Sequence, residues 1–203
     1  MKTKNLLTLI TAIIFISQMT SAQITFQKTI GGSGNDYGTI SRQTADNGYI
    51  ICGTTGSFGA GLEDIYLVKT NVNGDTLWTK TYGGTNTEYG SSVQQTNDRG
   101  YIITGSTRSF SVGARDIYLL KTDSAGNLLW TKTFNAIGDD IGTFAQQTSD
   151  GGYVIAGSSQ SSSLTNYDVD LIKTDANGDT LWTRTFSGSG YEDGNFVQQT
   201  NDG

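Results

Sequence analysis

Asp36, Glu88, Asp140 and Glu192 follow one another at intervals of 52 residues, with Asp139 and Asp193 beside two of them. Carboxylates gathered in this way suit a hard cation, because calcium takes ~6–8 oxygen ligands. Calcium is therefore the one cofactor these residues suggest, with Asp36, Glu88, Asp139, Asp140 and Glu192 as its ligands. A plainer reading makes them solvated loop carboxylates or caps on loop N–H groups. The spacing favours the plainer one, since it lacks the acid density of a D-x-D-x-D-G calcium loop. Asp175-Ala176-Asn177-Gly178-Asp179 looks like such a loop, but it has no downstream bidentate Glu and Trp182 follows closely. A hairpin turn accounts for it better.

A second set of candidates is aromatic and basic. Phe58, Phe110 and Tyr167 fall in segments that vary through the chain, near Arg108 and Arg115. Exposed aromatics there could stack on a sugar ring or anchor a protein partner. The alternative is that the phenylalanines tuck into their own loops. A glycosidase-like carboxylate pair is not singled out. As strand neighbours Asp139 and Asp140 would point to opposite faces, and a pairing of Asp36 with Glu192 needs the array to close. The chain has no His, which removes the commonest general base and metal ligand. Cys52 is the only cysteine, so no intrachain disulfide can form. It aligns with Thr104 and Ala156, which reads as a small residue in a tight strand position.

The regular spacing of these residues reflects an internal repeat. Phe26, Trp78, Trp130 and Trp182 stand 52 apart, and the register holds without insertion or deletion. Gln43, Gln95, Gln147 and Gln199 obey it, as do Asp46, Asp98, Asp150 and Asp202. Lys69, Lys121 and Lys173 follow it too. Residues present in every unit serve what every unit shares, the fold; a specific site belongs where the units differ. They differ in two loops, the one that leads into each unit's first strand and the one between its second and third strands. In a four-stranded unit both open on the same face, and loops on a rigid scaffold carry function.

Each unit reads as four short strands. In the second these are 89–96, 101–107, 116–122 and 128–134, joined by turns at 97–100 and 123–126 whose glycines can supply positive φ. Ile117-Tyr118-Leu119-Leu120 and Tyr101-Ile102-Ile103 do not alternate, so both faces of the sheet are expected to be covered. The small residues of the first strand suit a crowded innermost position.

Asn71-x-x-Gly74-x-x-x-Trp78 and its copies ending at Trp130 and Trp182 resemble the tryptophan-docking motif of quinoprotein-type propeller blades. The resemblance implies that the indoles of Trp78, Trp130 and Trp182 pack between neighbouring units. The wider pattern, W-T-K-T-[YF]-G-G, Q-Q-T-x-D-x-G-Y and D-I-Y-L-[LV]-K-T, resembles exported β-propeller-type repeats (SBBP-like) of Bacteroidota-type bacteria. The fold class expected is all-β: tandem four-stranded antiparallel blades of 52 residues forming part of a β-propeller, with units at 26–77, 78–129, 130–181 and, in part, 182–203. A propeller closes on ~4–8 blades, so three and a half units read as a fragment of a longer protein.

Residues 1–22 stand apart. Lys2 and Lys4 precede an 11-residue apolar run, Leu6 to Ile16, and Thr20-Ser21-Ala22 offers small residues for cleavage. This is the pattern of a secretory signal peptide cut after Ala22. The run is short for a bilayer span, which needs ~20 apolar residues. The expected product is secreted or displayed at the cell surface and is not an integral membrane protein. The whole chain has a net charge of −6, and loss of the two signal lysines makes it −8. That argues against nucleic acid as a partner. The function expected is binding of a protein or glycan, or scaffolding, with no catalysis evident. The alternatives are an extracellular, for example carbohydrate-active, enzyme and a structural adhesion or surface-layer filler.

Overall fold

The computed structural model describes residues 26–112, 114–134, 138–160 and 166–202. Residues 1–25, which include the expected signal peptide, Gly113, residues 135–137, residues 161–165 and Gly203 lie outside the described residues. Twelve strands form in chain order: β1 Asp36–Gln43, β2 Tyr49–Thr55, β3 Asp64–Thr70, β4 Thr76–Tyr82, β5 Glu88–Gln95, β6 Tyr101–Thr107, β7 Asp116–Thr122, β8 Leu128–Phe134, β9 Asp140–Gln147, β10 Tyr153–Gln160, β11 Tyr167–Thr174 and β12 Thr180–Phe186. They make three antiparallel four-stranded sheets, β1–β4, β5–β8 and β9–β12, each in sequence order. The fold is all-β. In the second unit three strands have the bounds that the sequence pattern gives them, and the first starts and ends one residue earlier than expected.

The sheets pack through their first strands. β5 lies against β2 and β3 of the sheet before it, β9 lies against β6 and β7, and β5 touches both β1 and β9. Every residue of β6 and β7 is buried, which explains their unbroken apolar runs: each middle strand has a neighbouring sheet over both faces. Residues 191–200 are not a strand but lie against the third sheet as β5 lies against the first. Thr143 donates to the Gly194 carbonyl as Thr39 does to that of Gly90.

Three repeated devices join each sheet to its neighbour. The first is aromatic. Phe26, Trp78 and Trp130 meet Tyr49, Tyr101 and Tyr153 of the sheet that follows edge-on, at 5.6, 5.9 and 5.7 Å between centroids. The rings also cover Gly74, Gly126 and Gly178, where an added Cβ would lie 2.4, 2.9 and 2.8 Å from ring carbons. These glycines have φ of 77°, 75° and 80°, so the turn and the ring contact both exclude a side chain. Trp78 and Trp130 are half-buried, whereas Trp182 is 40% exposed. Trp78 and Trp130 dock in this way.

The second device is glutamine. Gln95, Gln147 and Gln199 accept hydrogen bonds from the backbone N–H of Ala45, Asn97 and Ser149 in the preceding unit, at 2.8, 2.9 and 2.8 Å. The third is basic. Lys28 and Lys132 pair with Asp75 and Asp179 at 3.0 and 2.6 Å, and Lys80 donates to Asn127.

Within each unit Lys69, Lys121 or Lys173 leaves the sheet to reach Asp46, Asp98 or Asp150, at 2.9, 2.8 and 2.8 Å. It also donates to the carbonyl of Thr70, Thr122 or Thr174. The same aspartates accept from Thr44, Thr96 and Thr148 and from the N–H of Gly48, Gly100 and Gly152. This corrects the expectation for the 97–100 turn. Positive φ falls on Arg99, at 66°, and on Asn47, at 63°. Gly100 serves close approach instead: a Cβ there would lie 2.1 Å from the Thr122 carbonyl and 2.5 Å from Lys121 Nζ.

Cys52 is free and fully buried. Burial pushes its thiol up to about 12, so the thiolate needed for reactivity does not form at neutral pH.

Candidate functional site

The two variable loops of each unit meet, and they also touch the next unit. Asn86 N–H donates to Ser109 Oγ, and Gly34 N–H to Ser57 Oγ. Leu62 N–H of the first unit donates to the Asn86 carbonyl of the second. A parallel bridge between Glu63 and Thr87 continues the contact, and Glu88, Asp140 and Glu192 donate their backbone N–H to the carbonyls of Glu63, Arg115 and Tyr167. One face of the molecule is thus a run of loop pairs with seams between successive sheets.

The acidic residues at the heads of the first strands hold these loops in shape. Asp36 accepts from Thr55, from Ser57 Oγ at 2.7 Å and from Gly32 N–H at 2.7 Å. The Thr55 bond, then Gly32, holds its carboxyl below the usual range. Glu88 has no exposed surface and accepts from Thr107 Oγ1 at 2.8 Å, Ser109 N–H at 3.0 Å and Gly84 N–H at 2.8 Å. Glu192 accepts from Gly188 and Gly190 N–H. Asp140 is 1% exposed at the equivalent position. These side chains do what a loop cap does, satisfying N–H groups that would otherwise be orphaned. Asp175 likewise accepts from Asn177 and Asp179 N–H, the geometry of a hairpin turn.

Asp139 and Arg115 form one unit across the second seam. Arg115 Nε and a terminal guanidinium nitrogen donate to Asp139 Oδ2 at 3.1 and 2.6 Å, and Arg115 N–H donates to Oδ1 at 3.0 Å. The guanidinium holds the Asp139 carboxyl below its usual range. Tyr167 interacts with the same guanidinium and rests on Tyr191 with ring centroids 4.9 Å apart. Arg115 and Tyr167, placed among the binding candidates by sequence, are therefore half-buried parts of a seam.

Phe58, Phe110 and Arg108 are outward. Phe58 and Phe110 are 46% and 48% exposed, each with one side of its ring on a tyrosine of its own sheet, Tyr66 or Tyr118, at 5.7 and 5.5 Å. Each ring tucks against its own sheet and shows its other side to solvent. Arg108 is exposed. Inward of it Tyr89, 39% exposed, bonds to Glu63, and burial raises its hydroxyl above the ordinary range. Phe110 and Tyr118 also line an open groove of about 450 Å³ between the first two sheets, with Lys80, Tyr82, Leu128 and Thr131.

Sequence reasoning missed the aspartates that open the third strands. Asp64 and Asp116 are 1% exposed and Asp168 is 9% exposed. Asp64 Oδ2 accepts from Ala60 N–H at 2.8 Å and Asp116 Oδ2 from Val112 N–H at 3.3 Å. Burial raises both carboxyls above their usual range. The signal was available: an acid heads an otherwise apolar strand in all three units. Among the described residues no group of three or more His, Cys, Asp or Glu side chains converges on a metal-sized site, and no helix is long and apolar enough to cross a membrane. No family model and no curated protein matches this chain.

Proposed function

We propose that this chain is a secreted or surface-displayed repeat module, with its sheets arranged as blades of a β-propeller, that binds a protein or glycan through its variable loop face. The observation that carries the reading is the contrast between frame and loops. The Trp, Gln and Lys–Asp devices recur in unit after unit, while Arg108 stands exposed where the units differ, with Gly56 and Gln160 at its position, beside the half-exposed Phe110 and Tyr89. A half-exposed aromatic beside a cation and an open groove suits a sugar ring or an aromatic-rich peptide. Propeller packing is supported by the first strands, which touch one another, and by the indoles between units. Export is supported by the pattern of residues 1–22.

The test is capture on a glycan array and by a panel of surface proteins, comparing the parent chain with Phe110→Ala and Arg108→Ala. Loss of capture with a melting temperature within about 1–2 °C of the parent supports the reading; such exposed substitutions fall within ~0.5 kcal/mol. Unchanged capture in both variants sinks the loop face as the site. Arg115→Ala is unsuitable, because it strands the Asp139 carboxylate in the seam.

A second reading, a structural unit that assembles side by side, is favoured by Leu181, Trp182, Phe186, Tyr191 and Phe196, which are 40–62% exposed together around β12 and the segment after it. Sedimentation of the mature chain distinguishes it: concentration-dependent association lost on Phe186→Ser would support assembly.

A further inference from the structure

At the first seam two carboxylates from different sheets face one point. Asp64, which opens β3, turns Oδ2 to its own loop. Its other oxygen, Oδ1, is buried and has no hydrogen-bond partner. Glu88, which opens β5, approaches from across the seam. A Cβ built on Gly83 would lie 1.8 Å from Asp64 Oδ1 and 2.4 Å from Glu88 Oε2, so these two oxygens are at most about 4.2 Å apart. An anionic oxygen buried without a donor is costly, and a second one beside it is more so.

We infer that the seam binds a hard divalent cation, of which calcium is the type, between Asp64 Oδ1 and Glu88 Oε2. Calcium–oxygen distances of ~2.3–2.6 Å span such a gap with the metal slightly off the line between the oxygens. Two carboxylates neutralise the charge. Water would complete the coordination.

At the second seam Asp116 Oδ1 is likewise buried without a hydrogen-bond partner. The ion would join sheet to sheet, a structural role independent of what the loop face binds. It differs from a ring of Asp36, Glu88, Asp140 and Glu192, since the ion uses one third-strand and one first-strand acid.

The experiment uses the mature chain stripped with chelator. Calcium chloride is titrated by calorimetry, and thermal melts are run with and without the ion. Saturable uptake is expected, with an affinity on the order of 10⁻⁴–10⁻³ M typical of extracellular modules, and the melting temperature rises with calcium. Asp64→Asn keeps an oxygen for the loop N–H bond and should lose the uptake at this seam. Absence of both uptake and melting shift in the parent chain overturns the inference, whatever the variant does. Uptake undiminished in Asp64→Asn overturns it as well, by placing the ion elsewhere.

Discussion

Lys121 shows how one charged side chain can be part of a sheet's interior. Its side chain is 5% exposed, yet Nζ has Asp98 and the Thr122 carbonyl within 2.9 Å, so the ammonium is paired and hydrogen-bonded as burial requires. The aspartates respond. The Thr44 hydroxyl first and Lys69 second bring Asp46 down to about 2; burial opposes the shift at Asp98, but Lys121 and Thr96 outweigh it and bring that carboxyl to about 2 as well. A depressed carboxyl pKa contributes stability that is present above its unfolded value of 3.8 and is lost as pH falls through the folded value. The melting temperature should therefore fall as the pH is lowered from about 4 to about 2. Asp98→Asn should flatten that fall, and an equally steep profile in the variant would show that this pair does not set it. The aspartates are more than half exposed at the side chain, so each contributes modestly.

The same scale explains what was legible about individual residues. Asp46, Asp98 and Asp150 read as turn aspartates because an Asp two residues before a Gly bonds its own backbone, and they do. Their lysine partners did not read, because that bond spans 23 residues. Nor did the Arg115–Asp139 pair at 24. Charge pairing over such spans follows from which strands are neighbours, and a periodic sequence fits several arrangements of neighbours.

At the scale of the element, the tight turn between the first two strands carries its strain on the wrong residue for a simple glycine rule. Arg99 takes the left-handed conformation while Gly100, next to it, is pressed against the Thr122 carbonyl. Gly100→Ala should cost about 1–3 kcal/mol, the usual penalty of overpacking, whereas Arg99→Gly should not destabilise, since glycine adopts positive φ without the Cβ penalty. Denaturant melts of the two variants check this, and the reverse order would mean that φ, not space, selects the glycine. Strand bounds were the most readable feature of all, because turn residues and apolar runs recur in register and each copy corroborates the others.

At the scale of the molecule, successive sheets are bound by side chains that reach the neighbouring sheet: tryptophan and lysine forward onto its glycine, tyrosine and turn oxygen, glutamine back onto its turn N–H. The tryptophans test that coupling. Trp130 is half-buried against Tyr153 and Gly178, so Trp130→Ala should destabilise by about 2–4 kcal/mol, somewhat under the ~3–5 kcal/mol of a fully buried aromatic. Trp182 is 40% exposed, and Trp182→Ala should cost less than about 1 kcal/mol. Equal losses in the two would dismiss docking as the source of stability. The sequence by itself determined the 52-residue period, the four strands in each unit, the face on which variable loops gather and the aromatic position that docks; these depend on local turn chemistry and on repetition, which a single chain displays. Only the tertiary structure decided that Asp64 meets Glu88, that Arg115 neutralises Asp139 and that Phe110 stays half-open while Tyr167 is drawn into a seam. Those outcomes depend on how successive sheets are offset and rotated, and that offset is set by packing between units.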